Sequence, residues 1–162
     1  MLSFGHSAAG YLISKKTNFS GLWFILAANI FDLDIFIFGP GHHGAITHTP
    51  LMGVIYLFGF YLLLRNKFSH KFFFWIGVAL LSHLIIDDLS YWLSQLGWEK
   101  PLTPQINWFF PFTRSFNNSY SATEVLTYYF VTYSKLFYLE IFLSLYALTI
   151  FFRDKISGDV KE

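Results

Sequence analysis

Long apolar stretches alternate with short polar breaks along this chain of 162 residues. The first stretch is too short to cross a hydrocarbon core of about 30 Å, because a helix rises only about 1.5 Å per residue. The other four are predicted to form membrane helices, and strong breakers such as Gly39-Pro40-Gly41 separate them. The predicted helices are Leu2–Ser14, Leu22–Phe38, Pro50–Leu64, Phe72–Leu93 and Thr123–Phe152.

The connection Ser94–Ala122 differs from the others because it is long, aromatic and rich in proline. Connections of this length inside a compact domain are usually functional. We expect it to cover a site, with Trp98, Trp108 and Phe109 at the membrane interface. The tail that follows the last predicted helix, Arg153–Glu162, is short and charged.

Composition indicates a membrane protein. Hydrophobic residues make up 54% and charged residues 13% of the chain, the mean hydropathy is +0.46, and 21 Phe, 10 Tyr and 5 Trp are present. A net charge of +1 gives no reason to expect nucleic acid as a partner, and the absence of cysteine excludes disulfides and thiolate metal sites. The N-terminus shows no signal-peptide pattern. The predicted fold is a single all-α domain over residues 1–162, a polytopic membrane helical bundle with four long helices and a short N-terminal one.

Basic residues predict the orientation of this bundle. If every long segment spans, they all fall on one side, which the positive-inside rule assigns to the cytoplasm. The loops Gly39–Thr49 and Ser94–Ala122 then lie outside a bacterial or archaeal cytoplasmic membrane. The basic groups are Lys15 with Lys16, Arg65 with Lys67 and Lys71, and Arg153 with Lys155.

Polar residues interrupt the apolar pattern at one predicted depth, near the outer face. Asp32 and Asp34 lie inside an apolar segment, and acids within a membrane are costly and usually functional. His83 and Asp87 are four residues apart, so they share one face of a helix. Together these groups offer more nitrogen and oxygen ligands than one tetrahedral ion uses, which predicts a cluster of two or three divalent ions, zinc being the best fit. The candidate ligands are His6, Asp32, Asp34, His43, His48, His83 and Asp87.

Other interpretations of the same residues stay open. Asp32 and Asp34 are two residues apart, so on a regular helix they point in different directions, and a shared site requires the helix to loosen there. His83 and Asp87 are also compatible with a structural hydrogen bond between helices. Glu140 is a further acid in an apolar helix, for which an interhelical hydrogen bond is the simplest role.

Five motifs in order resemble the YdjM-type (LexA-regulated) family of membrane-bound metal-dependent hydrolases. That family's pattern has a His with Gly four residues later, D-x-D, H-R-G-x-T-H-S, S-H-x-x-x-D-x-L-T and an apolar W-P-F stretch. The matching segments here are His6 with Gly10, Asp32 with Asp34, Thr47-His48-Thr49, His83 to Ser90 and Phe110-Pro111-Phe112. The chain lacks the H-R-G sequence: His43 keeps the spacing to His48, and His42 is the alternative ligand. The missing Arg removes a group suited to an anionic substrate.

The resemblance implies hydrolysis, and a fainter similarity to zinc-dependent phospholipase C implies a phosphoester in a phospholipid or lipid-linked substrate. Asp32 or Asp34 is the expected catalytic base, and Asp88 would support the ligands. The rival hypotheses are a membrane protein that binds or transports a metal ion without catalysis, and a structural bundle whose polar residues only pair with one another.

Overall fold

The computed structural model describes residues 3–34, 47–97, 108–109 and 135–157. Within these ranges the regular structure is helical throughout, which confirms the all-α prediction. The helices are α1 (Ser3–Ser14), α2 (Gly21–Asn29), a 3₁₀ segment (Ile30–Asp34), α3 (Pro50–Leu64), α4 (His70–Gln95) and α5 (Lys135–Ser157).

Two helix ends differ from the sequence-based expectation by more than two residues, and α4 extends two residues beyond each end of its predicted range. The predicted span Leu22–Phe38 is not one continuous α-helix, because α2 ends at Asn29 and the 3₁₀ segment follows it. The last helix continues past Phe152 to Ser157, so the first residues of the expected charged tail are helical. Lys155 lies in the last turn of α5, where a positive charge interacts favourably with the helix dipole.

Helix α4 lies at the centre of the bundle and packs against α1, α2 and α3. Buried apolar side chains from α2, the 3₁₀ segment and α4 form the core, with Phe24, Phe31, Phe72, Ile76 and Leu84 almost completely buried. Side chains of this size dominate the stability of a core.

A glycine permits the close contact between α1 and α2. A Cβ atom at Gly10 would lie 2.5 Å from the carbonyl oxygen of Phe24, which is closer than any real side chain approaches backbone. Gly10 is four residues from His6, so the two share a face of α1. The glycine therefore sets how closely the helix that carries His6 approaches the core.

Local sequence determines where α3 begins. Thr49 has the extended backbone of an N-cap residue, its hydroxyl accepts a hydrogen bond from the Met52 amide, and Pro50 opens the first turn. Because the N-cap is fixed, the residue before it, His48, is held at the start of α3.

One described helix has the length and composition of a membrane span. Residues His70–Leu89 of α4 have a mean hydropathy of 1.7, and about half of that stretch is buried against other helices. The apolar segments Gly21–Leu33 and Pro50–Leu64 are shorter than a span. The polytopic arrangement therefore stays a prediction.

Helix α3 is apolar on all sides, yet the structure buries none of its residues. Leu63 is 81% exposed, and Val54 and Phe58 are more than half exposed. A helix that is hydrophobic all round is normally buried in a large core or in a membrane. Helix α5 adds further exposed apolar side chains, including Phe142 and Leu145.

Charged residues gather at the end of the bundle where α1 ends. Lys15 Nζ lies 2.6 Å from Asp154 Oδ2, and Arg153 donates two hydrogen bonds to Asp154 Oδ1. Phe68, in the loop between α3 and α4, packs edge to face against Phe19, just before α2. The ends of α1, α3 and α5 therefore lie at the same end of the bundle as the beginnings of α2 and α4.

Candidate metal centre

His83 is held in place by the backbone of α2. Its Nδ1 atom lies 2.7 Å from the carbonyl oxygen of Ala28, and its side chain is completely buried. Because a carbonyl oxygen only accepts hydrogen bonds, Nδ1 carries the hydrogen. In the neutral imidazole Nε2 then has a free lone pair, the form that binds a metal.

Asp87 lies one turn after His83 on α4, and its carboxylate is in contact with two histidine side chains. His83 Nε2 is 3.0 Å from Asp87 Oδ2, and His6 Nε2 is 3.0 Å from Asp87 Oδ1. His6 reaches this position because α1 packs against both α2 and α4. The two oxygens of one carboxylate thus lie beside imidazoles from two different helices.

The 3₁₀ segment and the start of α3 bring in two more groups. His48 Nε2 lies 3.8 Å from Asp32 Oδ1 and 3.8 Å from Asp87 Oδ2, and His83 Nε2 is also 3.8 Å from Asp32 Oδ1. The winding changes to 3₁₀ over Ile30–Asp34, where a site shared by Asp32 and Asp34 requires the helix to loosen. The change of winding begins shortly after Ala28. In a continuing α-helix, the Ala28 carbonyl would accept a hydrogen bond from the Asp32 amide.

Aromatic stacking fixes the plane of the His83 ring. The His6 ring stacks on it with centroids 3.9 Å apart, and the Phe31 ring stacks on it with centroids 4.8 Å apart. Phe31 also contacts the His48 ring and meets Tyr56 edge to face. The side chain of Phe31 is therefore part of the site, although it has no ligating atom.

These groups could hold a metal ion. His6, His83 and Asp87 form one set whose ligand atoms all lie within 4.8 Å of one another, and Asp32, His48 and His83 form a second such set. A tetrahedral ion with bonds of about 2.1 Å holds its ligand atoms about 3.4 Å apart. The measured distances of 3.0 to 3.8 Å bracket that separation.

The nitrogen atoms of the site support the same conclusion. Among the described residues, neither His6 Nε2 nor His83 Nε2 makes a hydrogen bond of acceptable geometry, even though both atoms are buried and carboxylate oxygens lie close to them. Buried polar atoms are almost always hydrogen bonded or bound to something else. The nitrogens are thus placed for an ion more than for the carboxylate itself.

Burial also selects the protonation state that a metal requires. His6 lies on α1, which is too short to span a membrane, and burial lowers its pKa below the ordinary value. Nearby Asp87 opposes this effect without reversing it. A neutral imidazole is the ligating form.

The structure thus brings together five of the predicted ligands: His6, Asp32, His48, His83 and Asp87. The two sets share His83, and its Nε2 atom can bind only one ion. The two sets therefore form a single cluster. The side chain of Asp34, together with His42 and His43, lies outside the described residues. The described groups suffice for one ion, and the predicted second and third ions depend on those other side chains.

Sequence reasoning missed several residues that position the ligands. Phe31 and the Ala28 carbonyl have no pattern that distinguishes them from ordinary core positions. Asn29 donates one hydrogen bond to the Ile25 carbonyl and one to the Ser7 hydroxyl, which ties α1 to the end of α2. The polar side chain of Asn29 inside an apolar segment was the sequence feature that could have identified it.

Asp88 follows Asp87 but faces elsewhere. It is buried, and Trp108 Nε1 donates a hydrogen bond to its Oδ2 atom at 2.9 Å. This contact attaches the connection between α4 and α5 to the helix that carries the ligands. Trp108 is half buried and the neighbouring Phe109 is exposed, whereas Trp98 lies outside the described residues.

Comparisons with protein-family models, curated proteins and solved structures found no match for this chain.

Proposed function

We propose that the protein is a membrane-bound metal-dependent hydrolase that cleaves a phosphoester in a phospholipid or lipid-linked substrate. The observation that carries this proposal is the convergence of three buried imidazoles and two carboxylates from four segments of an apolar bundle. Burying several ionisable side chains together in such surroundings is costly, and a metal ion bound between them would offset that cost for the whole set.

Divalent ions, zinc above all, would lower the pKa of a water molecule there and stabilise negative charge on phosphoryl oxygens. His6, His48, His83 and Asp87 would hold the metal, together with one oxygen of Asp32. Asp34 and His43 are proposed to complete a site for a second ion.

Asp32 is the described residue best placed to act as the general base. Its side chain is 11% exposed, whereas those of the other cluster members are at most 4% exposed, so Asp32 is on the side of the cluster that water can reach. In hydrolysis the oxygen of water bonds to phosphorus and Asp32 accepts the proton of the water. The bond from phosphorus to the alcohol oxygen breaks, and the proton held by Asp32 passes to that oxygen, so that the alcohol leaves neutral. Asp34 is the alternative base.

The exposed apolar surfaces of the bundle support a membrane location and, with it, a lipid substrate. Helix α3 exposes an entirely apolar surface, and α4 has the length and composition of a span. The basic ends of α1, α3 and α5 lie at the end of the bundle where α4 begins, whereas His83 lies well along α4, about 16 Å beyond Phe72. The positive-inside rule then places the cluster toward the outer face.

Metal analysis combined with turnover tests this proposal. The full-length protein is purified in detergent, stripped of loosely bound ions with a weak chelator, and assayed for metal per chain. Hydrolysis is then measured on a chromogenic phosphodiester and on phosphatidylglycerol. We expect bound metal and activity in the wild type, a loss of turnover of at least about 100-fold in Asp32→Asn, and loss of both metal and turnover in His83→Ala.

His70→Ala is the matched control, because His70 lies on the same helix as His83 but is exposed at its beginning. It should keep both metal and activity. A folded, active protein without metal, or a metal-loaded protein that hydrolyses neither phosphoester, would contradict the proposal.

A metal-binding or metal-transporting protein without catalysis is the second candidate. The near-complete burial of the three histidines favours it, because an enclosed site suits storage or passage of an ion. Against it, both candidate sets among the described residues share His83, so they mark one point instead of a path across the membrane. Metal flux into liposomes that is abolished by His83→Ala, with no hydrolysis, would select this candidate.

A further inference from the structure

An apolar groove of about 250 Å³ lies between α1 and α5, beside the metal cluster but not part of it. Phe4, Ala8 and Tyr11 line one wall and are spaced along a single face of α1. Ala147 and Phe151 of α5 line the other wall. The small side chains of Ala8 and Ala147, both buried, leave the space open where the two helices come together.

The part of the groove near the start of α1 lies at the level of the cluster along that helix. Phe4 and Ser7 line it and lie within one turn of His6, whose Nε2 atom is beside Asp87. The Ser7 hydroxyl also accepts the hydrogen bond from Asn29, the residue that precedes the 3₁₀ segment of Asp32. A molecule in the groove would therefore have one end within a helical turn of a residue that carries a ligand atom.

The other end of the groove is closed by aromatic and charged groups. The Tyr11 ring meets the Phe151 ring edge to face, with centroids 6.0 Å apart. Lys15 Nζ lies 4.7 Å from the centroid of the Tyr11 ring and pairs with Asp154. From Phe4 to Tyr11 the helix rises about 10 Å, which is the approximate distance between the two ends of the groove.

The lining specifies a hydrocarbon occupant. Among the described residues of the lining, Ser7, Tyr11 and Ser144 supply the polar side-chain groups, and none of these residues is charged. A polar occupant would find only these three hydroxyl groups to replace its bonds to water. Phe4 and Leu148 line the groove and are also exposed on the outside of the bundle, which gives a chain from the bilayer a way in.

We propose that this groove binds one hydrocarbon chain of the lipid whose phosphoester is cleaved at the cluster, an inference that rests on the proposed function. The head group lies at the His/Asp cluster and the chain extends along α1 toward Tyr11. The Lys15–Asp154 pair sets the limit of the groove, because a hydrocarbon chain gains nothing by reaching charged groups.

Photocrosslinking tests the groove independently of catalysis. The probe is phosphatidylglycerol with a diazirine on one acyl chain, diluted into phosphatidylcholine nanodiscs that contain the full-length protein, and labelled peptides are mapped by mass spectrometry. We expect labelling to concentrate on the groove walls of α1 and α5. Ala147→Phe should reduce it at least about tenfold, because the phenyl ring displaces about two methylene groups from the groove.

Leu145→Phe is the matched control, since it adds a ring to the same helix at an exposed position and should leave groove labelling unchanged. Ser144→Leu narrows the same wall by a smaller change and replaces Ala147→Phe if circular dichroism shows that variant to be unfolded. A diacylglycerol with the same diazirine chain should label the groove more weakly, because it has no phosphate for the cluster.

Several results would overturn the inference. Labelling spread evenly over the exposed face of α5 would mean bulk lipid, and no groove labelling would mean that another segment or a second copy covers it. Equal labelling by the diacylglycerol would separate the groove from the cluster, and would leave the hydrolase proposal intact. Groove labelling that depends on the phosphate, without any hydrolysis, supports the groove and removes only the hydrolase proposal.

Discussion

The Nδ1 atom of His83 lies 2.7 Å from the carbonyl oxygen of Ala28, across the contact between α4 and α2. This bond fixes the tautomer of the imidazole and directs Nε2 toward Asp87 and Asp32. It also takes up a carbonyl at the point where α2 changes to 3₁₀ winding. One hydrogen bond thus links the orientation of a ligand to the position of a carboxylate on a different segment.

Replacement of His83 with Gln is expected to remove the metal while keeping the fold. Glutamine fills much of the same space but has no imidazole nitrogen at the centre of the cluster. Loss of an outer partner weakens metal binding by about 10- to 100-fold, and loss of a ligand should exceed that. Metal content per chain is the measurement, with His70→Gln on the same helix as the control. Unchanged metal content in His83→Gln would contradict the assignment.

Gly10→Ala is expected to destabilise the bundle and to weaken metal binding. A methyl group there would lie 2.5 Å from the Phe24 carbonyl, so α1 must move away from α2 and carry His6 with it. Overpacking of this kind costs about 1–3 kcal/mol. Unfolding in mixed micelles followed by circular dichroism measures the change.

Gly59→Ala is the control for this substitution, because no described atom outside the adjoining turns of α3 lies within 4 Å of the added methyl group. It should stabilise that helix by up to about 1 kcal/mol through helix propensity. If Gly10→Ala is as stable as Gly59→Ala, the close contact between α1 and α2 does not exist.

The sequence predicted the parts of the structure that depend on local pattern. Helix α3 runs from Pro50 to Leu64 as predicted, because a capping Thr49 and a proline define its start and apolar residues continue to its end. The spacing of His83 and Asp87 likewise predicted a shared face of α4. A site shared by Asp32 and Asp34 required the helix to loosen between them, but spacing does not reveal the contact of His83 with the Ala28 carbonyl, which lies just before the 3₁₀ segment.

The helical extension of α5 past Phe152 was not predicted for a similar reason. A charged run after an apolar segment resembles a tail, and only the pairing of Asp154 with Lys15 of α1 shows why the helix continues. The role of Phe31 was missed because a phenylalanine in an apolar segment is normally a core or lipid contact. The contacts that complete the site are thus tertiary.

The Lys15–Asp154 pair is expected to make stability depend on pH only at the extremes. Hydrogen bonds from Lys15 and then Arg153 hold the pKa of Asp154, which lies beyond the apolar part of α5, below its ordinary value. The contribution of Asp154 to the free energy of unfolding is present above its unfolded-state pKa of about 3.9. It is lost as the pH falls through the lower pKa that Asp154 has in the folded protein. Burial alone would lower the pKa of Lys15, but its bonds to Asp154 and Tyr11 raise it, so its contribution is lost only at strongly alkaline pH.

Unfolding curves between about pH 2 and about pH 8 measure this effect. This range begins about two units below the ordinary pKa of Asp and ends above the ordinary pKa of His. Wild type should lose stability at acid pH more steeply than Asp154→Asn. Near neutral pH, this pair should add no pH dependence to the stability of either protein. The expected effect is small, because Lys15 is about a third exposed. Lys16→Met is the control, since Lys16 is exposed at the same helix end. Equal acid sensitivity of wild type and Asp154→Asn would show that the pair does not stabilise the fold.

Phe31→Leu is expected to lower metal affinity without removing any ligand. The phenyl ring stacks on His83 with centroids 4.8 Å apart, opposite the face that His6 covers, so it stops the imidazole from tilting away from Asp87. Leucine keeps the position apolar but loses the flat surface. We expect a loss of about 1–2 kcal/mol in stability and a loss of up to about tenfold in metal affinity.

A purely structural role for Phe31 would lower stability alone, so the two measurements separate the possibilities. Metal affinity is measured by competition with a chelator at a temperature where the variant stays folded. Phe58→Leu makes the same change at a largely exposed site on α3 and should alter stability by no more than about 0.5 kcal/mol, with metal affinity unchanged. If Phe31→Leu binds metal as tightly as Phe58→Leu, the stacked ring does not position His83, and the hydrogen bond to Ala28 is sufficient to orient it.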